Sequence, residues 1–179
     1  MAPHDDCSGD GGGLGVHART RAETFVTRRG LAGHLLALAA FGAALGFLEA
    51  VVVIYLKHVV GIPTPANLDR AVLAGIPEWI VSSEQAREVA MLVMLVMLAY
   101  LAGQGPRERM AAFLFTLGLV DLSFYASIKL LLDWPATLRT TDLVVLIPAP
   151  WFAPVWAPMT IAAVMILAGL GMMAVGRKR

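Results

Sequence analysis

Each shortage in this 179-residue chain removes a class of function. Its one cysteine, Cys7, sits in a glycine-rich stretch, so there is no disulfide framework, no redox thiol pair and no CxxC to hold a metal. Charged residues make up only 15% of the chain and the net charge is +1, with the arginines in short groups between apolar runs. A nucleic-acid partner needs a clustered basic face, and none is present. No HExxH, GxSxG, P-loop or dinucleotide fingerprint occurs, which leaves the hydrolase and nucleotide chemistries without support. No histidine falls within the middle of an apolar run, so a haem held there lacks an axial ligand. His58, near acidic residues, leaves a mixed histidine and carboxylate metal centre as the one metal reading with any basis. Met91, Met94 and Met97 form MxxMxxM, a thioether pattern that suits Cu(I), but steps of three turn the side chains round a helix and methionine is a common gap filler. No cofactor is indicated.

What the chain has instead is apolar length. Hydrophobic residues make up 58% and the mean hydropathy is +0.72, outside the range of ordinary soluble domains. A bilayer core of about 30 Å needs roughly 20 apolar residues in a helix. Four segments qualify, at about 34–56, 84–103, 110–132 and 155–175. The expected fold is all-α, an integral membrane four-helix bundle occupying 31–176. Residues 1–30 are polar and glycine-rich, and read as a disordered cytoplasmic tail. The apolar run from Leu31 outlasts a cleavable signal segment, so the first span is expected to stay in the mature protein. Ser82 followed by Gln85 has the spacing of a capping box and marks a start for the second helix.

Basic residues set the expected orientation, because cytoplasmic flanks retain Lys and Arg. Arg19, Arg21, Arg28 and Arg29 precede the first span, Arg107 and Arg109 lie between the second and third, and Arg177, Lys178 and Arg179 form a basic end at 177–179. Both termini are therefore expected inside. Trp79, Trp134, Trp151 and Trp156 then all fall on the outer side, with Tyr55, while Tyr100 anchors the inner side. Of the two outer connections, 61–83 contains an amphipathic candidate over Leu68–Ile76. The other is rich in proline: Pro148, Pro150, Pro154 and Pro158 follow an apolar run too short to cross. A short re-entrant or surface segment over 142–154 is expected before the last helix, and its irregular backbone points to a cavity there.

Polar side chains recur where they are costly. At about 100° per residue, Asp121, Tyr125 and Lys129 share a sector of about 80° on the third span. A charge near a helix centre costs about 2.5 to 3.5 kcal/mol on insertion scales, so this face should point into the bundle. Glu49 projects from the small-residue strip Gly42, Gly46 and Ala50 of the first span, a GxxxG pattern that permits close helix approach. Glu84, Arg87 and Glu88 share one face of the second. Glu49, Glu88 and Asp121 are thus candidate acidic ligands or proton carriers, with Arg87 and Lys129 as counter-charges and Tyr125 as a hydrogen-bond donor. The ligand classes open to such a site are a proton, a metal ion or a polar lipid head group. Two further readings stay open. One is a membrane enzyme acting on a lipid-linked substrate by carboxyl acid/base chemistry. The other is a non-catalytic subunit that meets a membrane partner, or a second copy, through the Gly42/Gly46 face.

Asp121, Tyr125 and Lys129, followed by Trp134-Pro135, then Asp142, LIPAPW, Pro154 and Pro158, resemble a family of small bacterial multi-pass inner-membrane proteins with no assigned activity. The resemblance spans about residues 45 to 160. It implies a bacterial inner (plasma) membrane and assigns no reaction and no catalytic residue.

Overall fold

A computed structural model describes residues 13–61 and 70–176, with side chains from residue 30 onward, Leu31 excepted. Residues 1–12 of the expected tail, the basic end 177–179 and Leu68 and Asp69 of the amphipathic candidate lie outside the described residues, as do the side chains of Arg19, Arg21, Arg28 and Arg29. The elements in chain order are α1 (Gly13–Val60), α2 (Arg70–Ala74), α3 (Glu78–Ala102), α4 (Pro106–Leu132), β1 (Thr141–Val145), β2 (Trp151–Pro154) and α5 (Trp156–Gly176). The chain divides into a unit Met1–Leu36 and a unit Ala37–Arg179, and the latter contains the helix packing.

Four helical segments are long and apolar enough to cross a membrane: Ala32–Val60, Glu78–Ala102, Pro106–Leu132 and Trp156–Val175. The protein is an integral membrane protein with a helical bundle, and the four spans match the four apolar runs of the sequence. The second begins a turn and a half earlier than its capping-box pattern suggests. Pro77, with φ −55° and ψ 136°, precedes the first helical residue and sets the start. Ser82 and Ser83 instead donate back to the carbonyls of Glu78 and Trp79, at 2.9 and 2.8 Å, as serines inside helices do.

The turn between α3 and α4 is tightly made. Pro106 occupies the first turn of α4, where its missing N–H leaves nothing unpaired. Arg109 donates to Gly103 O at 3.1 Å and stacks on Tyr100, 3.9 Å from the ring centre. At its other end α4 stops at Asp133, which takes the left-handed conformation (φ 52°) and closes the last turn through an N–H bond to Lys129 O.

α4 is the packing axis. Gly46 of α1 lies directly on Val120 O, Ser123 Cβ and Phe124 N of α4, with no room for a side chain. The Gly42/Gly46 strip thus packs against α4 of the same chain. On the opposite flank Gly118 lies against Ala162 and Ile166 of α5. Leu45, Leu95 and Val120 join α1, α3 and α4 in one apolar cluster.

The segment before α5 is an antiparallel hairpin, a form not anticipated within an all-helical reading. Thr141 pairs with Pro154, Asp142 with Ala153 and Leu143 with Phe152, and a bulge follows before Val145 meets Trp151. The five residues of β1, TDLVV, are too few to show an alternating pattern in sequence, and Asp142 is a poor strand former. Val155 N–H to Thr140 O and Trp156 N–H to Leu138 O tie the hairpin's base to the start of α5. The C-terminal ends of α1 and α4 and the N-terminal ends of α3 and α5 share this hairpin end.

Candidate functional site

The charged side chains gather at the hairpin end because α1, α3 and the hairpin each place some of them there. Arg87, two and a half turns into α3, reaches across to α1 and pairs with Glu49, while its Nη2 and Nε hold Glu84 at 2.8 and 2.9 Å. A guanidinium suits this double role because its planar fork serves two carboxylates at once. Glu88, one turn deeper, turns to the hairpin instead. Both its oxygens accept the Leu146 N–H, at 3.0 and 3.1 Å, and Ile147 N–H also points at it. That carboxylate fastens the hairpin tip to α3.

A second cluster lies beneath the hairpin's base. Asp142, only 5% exposed, accepts a hydrogen bond from the Tyr125 hydroxyl at 3.0 Å. Burial pushes its carboxyl up from 3.8 to about 6, against the opposing pull of the Tyr125 bond, the Lys57 charge and the Leu143 N–H. Lys57, in the last turn of α1, is only 3% exposed and lies 4.1 Å from the centre of the Trp134 ring. Among the described residues its ammonium has no hydrogen-bond partner, and neither has the indole N–H of Trp134, itself 1% exposed. Ala50, Tyr125, Ile128, Trp134 and Val155 form the apolar cluster that holds these groups in position.

Between the two clusters lies a cavity of about 100 Å³. Lys57, Glu84, Arg87, Glu88, Trp134 and Asp142 supply its polar wall, and apolar residues of α1 to α4 and of the hairpin, with Ile76, supply the rest. Counting Glu49 through its pair with Arg87, four carboxyls face two cations. Among the described residues no three His, Cys, Asp or Glu side chains come close enough to hold a metal ion.

Of the six residues singled out by sequence, Glu49, Arg87, Glu88 and Tyr125 join these clusters. Lys129 does not serve as a counter-charge for the buried acids. It turns toward the helix end, where it pairs with the exposed Asp133 at 2.6 Å and donates to Pro135 O at 3.1 Å. That pairing holds the Asp133 carboxyl below its usual range. The physical reason is length and position: one turn from the end of α4, a lysine reaches the terminal carbonyls more readily than it stays buried. Asp121 lies a turn below Tyr125 and, among the described residues, has neither an ion pair nor a hydrogen bond. Its charge is felt at Tyr125. Of the cavity's polar wall, Lys57, Glu84, Trp134 and Asp142 were not among those six. Lys57 has the position of an interfacial flank, and Asp142 belongs to a proline-rich connection. The only local signal was Asp142 next to the apolar run Leu143–Ile147, a carboxyl where the chain is otherwise greasy. The chain matches no protein-family model, no curated protein and no solved structure.

Proposed function

We propose that this integral membrane protein carries an outward-facing polar site at its hairpin end, which binds a proton or an organic cation such as the ammonium of a polar head group. The observation that carries the reading is the excess of carboxyls over cations around a partly open cavity. Four acids face Lys57 and Arg87, and Asp121 stands a turn below Tyr125 without a counter-charge among the described residues. Ionised side chains at membrane depth are expensive unless paired, so an uncompensated acid there favours an incoming positive charge. The spacing of the acids favours an ammonium or a proton over a metal, since an ammonium is met by hydrogen bonds from a loose set of carboxylates, whereas a metal needs ligands drawn close together. The proposed setting is a bacterial inner membrane with both termini cytoplasmic. The arginines at the opposite end of the spans and the tryptophans at the hairpin end support that orientation.

The test is a melting measurement on the full chain in neutral detergent at constant ionic strength. Ethylammonium chloride is expected to raise the melting temperature where sodium chloride does not, because a ligand that binds only the folded state stabilises it. In Glu84→Gln/Glu88→Gln that difference should vanish. Equal effects of the two salts on wild type would count against the reading.

A further inference from the structure

The cavity asks for more than a cation. Lys57 and Trp134 both line it, both are almost wholly buried, and among the described residues neither the ammonium nor the indole N–H has an acceptor. Asp142 supplies charge to Lys57 but no hydrogen bond, and stacking on Trp134 leaves the three N–H donors of the ammonium unmet. Leaving buried donors unsatisfied is costly, so this wall is built for an acceptor. On the facing wall, Glu84 and Glu88 each spend part of their acceptor capacity, on Arg87 and on the Leu146 N–H, and have more to offer.

A simple anion would meet Lys57 but be opposed by Glu84, Glu88 and Asp142. A simple cation would satisfy the acids but leave Lys57 and Trp134 unpaired. We infer that the site takes a compact zwitterion, its anionic oxygens on the Lys57 ammonium and the Trp134 indole N–H, its ammonium on Glu84 and Glu88. The inference deepens the cation reading above and rests on it. At about 100 Å³ the cavity has room for a head group and not for a whole amphiphile. An aminoethyl phosphate has this chemistry, whether as a free solute or as the head group of a bilayer lipid.

The experiment compares ethylammonium chloride, sodium phosphate and O-phosphoethanolamine on the full chain by melting in neutral detergent. A lipid arm compares nanodiscs of phosphatidylethanolamine with nanodiscs of phosphatidylglycerol. Phosphoethanolamine, free or as the lipid, is expected to stabilise at concentrations about tenfold or more below ethylammonium, the weight of one charge-assisted hydrogen bond. Phosphate alone is expected to do nothing. Lys57→Met should erase the tenfold advantage and keep the ethylammonium effect, Trp134→Phe should reduce the advantage, and Lys57→Arg should retain most of it. An effect confined to phosphatidylethanolamine nanodiscs identifies the bilayer as the source, and one seen with the free solute identifies a soluble ligand; each supports the inference. It is overturned if phosphoethanolamine, both as the free solute and as the lipid, is no better than ethylammonium, or if its advantage survives in Lys57→Met. In that case the cavity holds water, and the cation reading stands alone. Loss of the ethylammonium effect itself overturns the cation reading and this inference with it.

Discussion

The two halves of the bundle are held by opposite means. Along the middle of α4 the neighbours approach until backbone meets backbone: Gly46 rests on Val120 and Ser123, Gly118 on Ala162. Dispersion contacts between close-packed helices suffice there, because lipid offers no hydrophobic drive for association. At the hairpin end the helices are bridged by long charged side chains, Arg87 to Glu49 and Glu88 to Leu146, and a cavity remains between them. Close packing leaves no space for a ligand. Charged bridges, which add little net stability over apolar packing, leave both space and unspent hydrogen-bonding capacity. The contrast teaches where to look for function in this chain, and it can be broken from either side.

The largest effect is expected at the packed half. Gly46→Leu would drive a side chain into the α4 backbone and should prevent α1 from docking, seen as loss of folded material on size-exclusion in detergent. Gly171→Leu, on α5 with open space around it, should behave as wild type. Next comes Trp134→Ala, which empties a buried site beneath the hairpin and should cost about 3 to 5 kcal/mol by thermal or denaturant melting. Glu88→Ala should be milder, about 1 to 3 kcal/mol, because it leaves the Leu146 N–H without its acceptor. Its signature is faster amide exchange at Leu146 and Ile147, with α4 and α5 unchanged. If Glu88→Ala instead loosened the whole bundle, the division between a packed half and a bridged half would be wrong. Smallest of all is Lys129→Ala. Solvent screens this exposed pair with Asp133, so melting should hardly move.

Much of this contrast was legible in the residues and some of it was not, for reasons that differ by residue. The four spans follow from run length alone, and the Gly42/Gly46 strip identified a close helix contact, although spacing on one chain cannot say which helix fills it. Glu49 and Arg87 were recognisable because a charge inside an apolar run must find a partner. Lys57 escaped because the same lysine at a span end is wet in most contexts. It becomes buried only when the hairpin and Trp134 fold over it, an arrangement set by residues more than 75 positions away. Lys129 misled for the converse reason, since helical spacing aligned it with Asp121 and Tyr125 but said nothing of the carbonyls of Asp133 and Pro135 within its reach. The hairpin was hidden by its shortness, and its proline-rich tip has the composition of a loop.

Asp142 joins the two halves of the account, because it is buried by the fold and faces the cavity. Its carboxyl is raised from 3.8 to about 6 by burial, so the folded state holds a proton that the unfolded chain has already released. Stability should therefore be greatest below about pH 4 with respect to this group and decline as pH rises to about 6, by roughly 3 kcal/mol at 1.36 kcal/mol per unit. Asp142→Asn should flatten that slope. The most direct test of the site is an infrared pH titration of the protonated carboxyl band in wild type and Asp142→Asn, with and without ethylammonium chloride at fixed ionic strength. A band with a midpoint near 6, absent from Asp142→Asn and moved to lower pH by ethylammonium, is the expected result. A midpoint near 4 that ethylammonium leaves in place would contradict a cation site at the hairpin end.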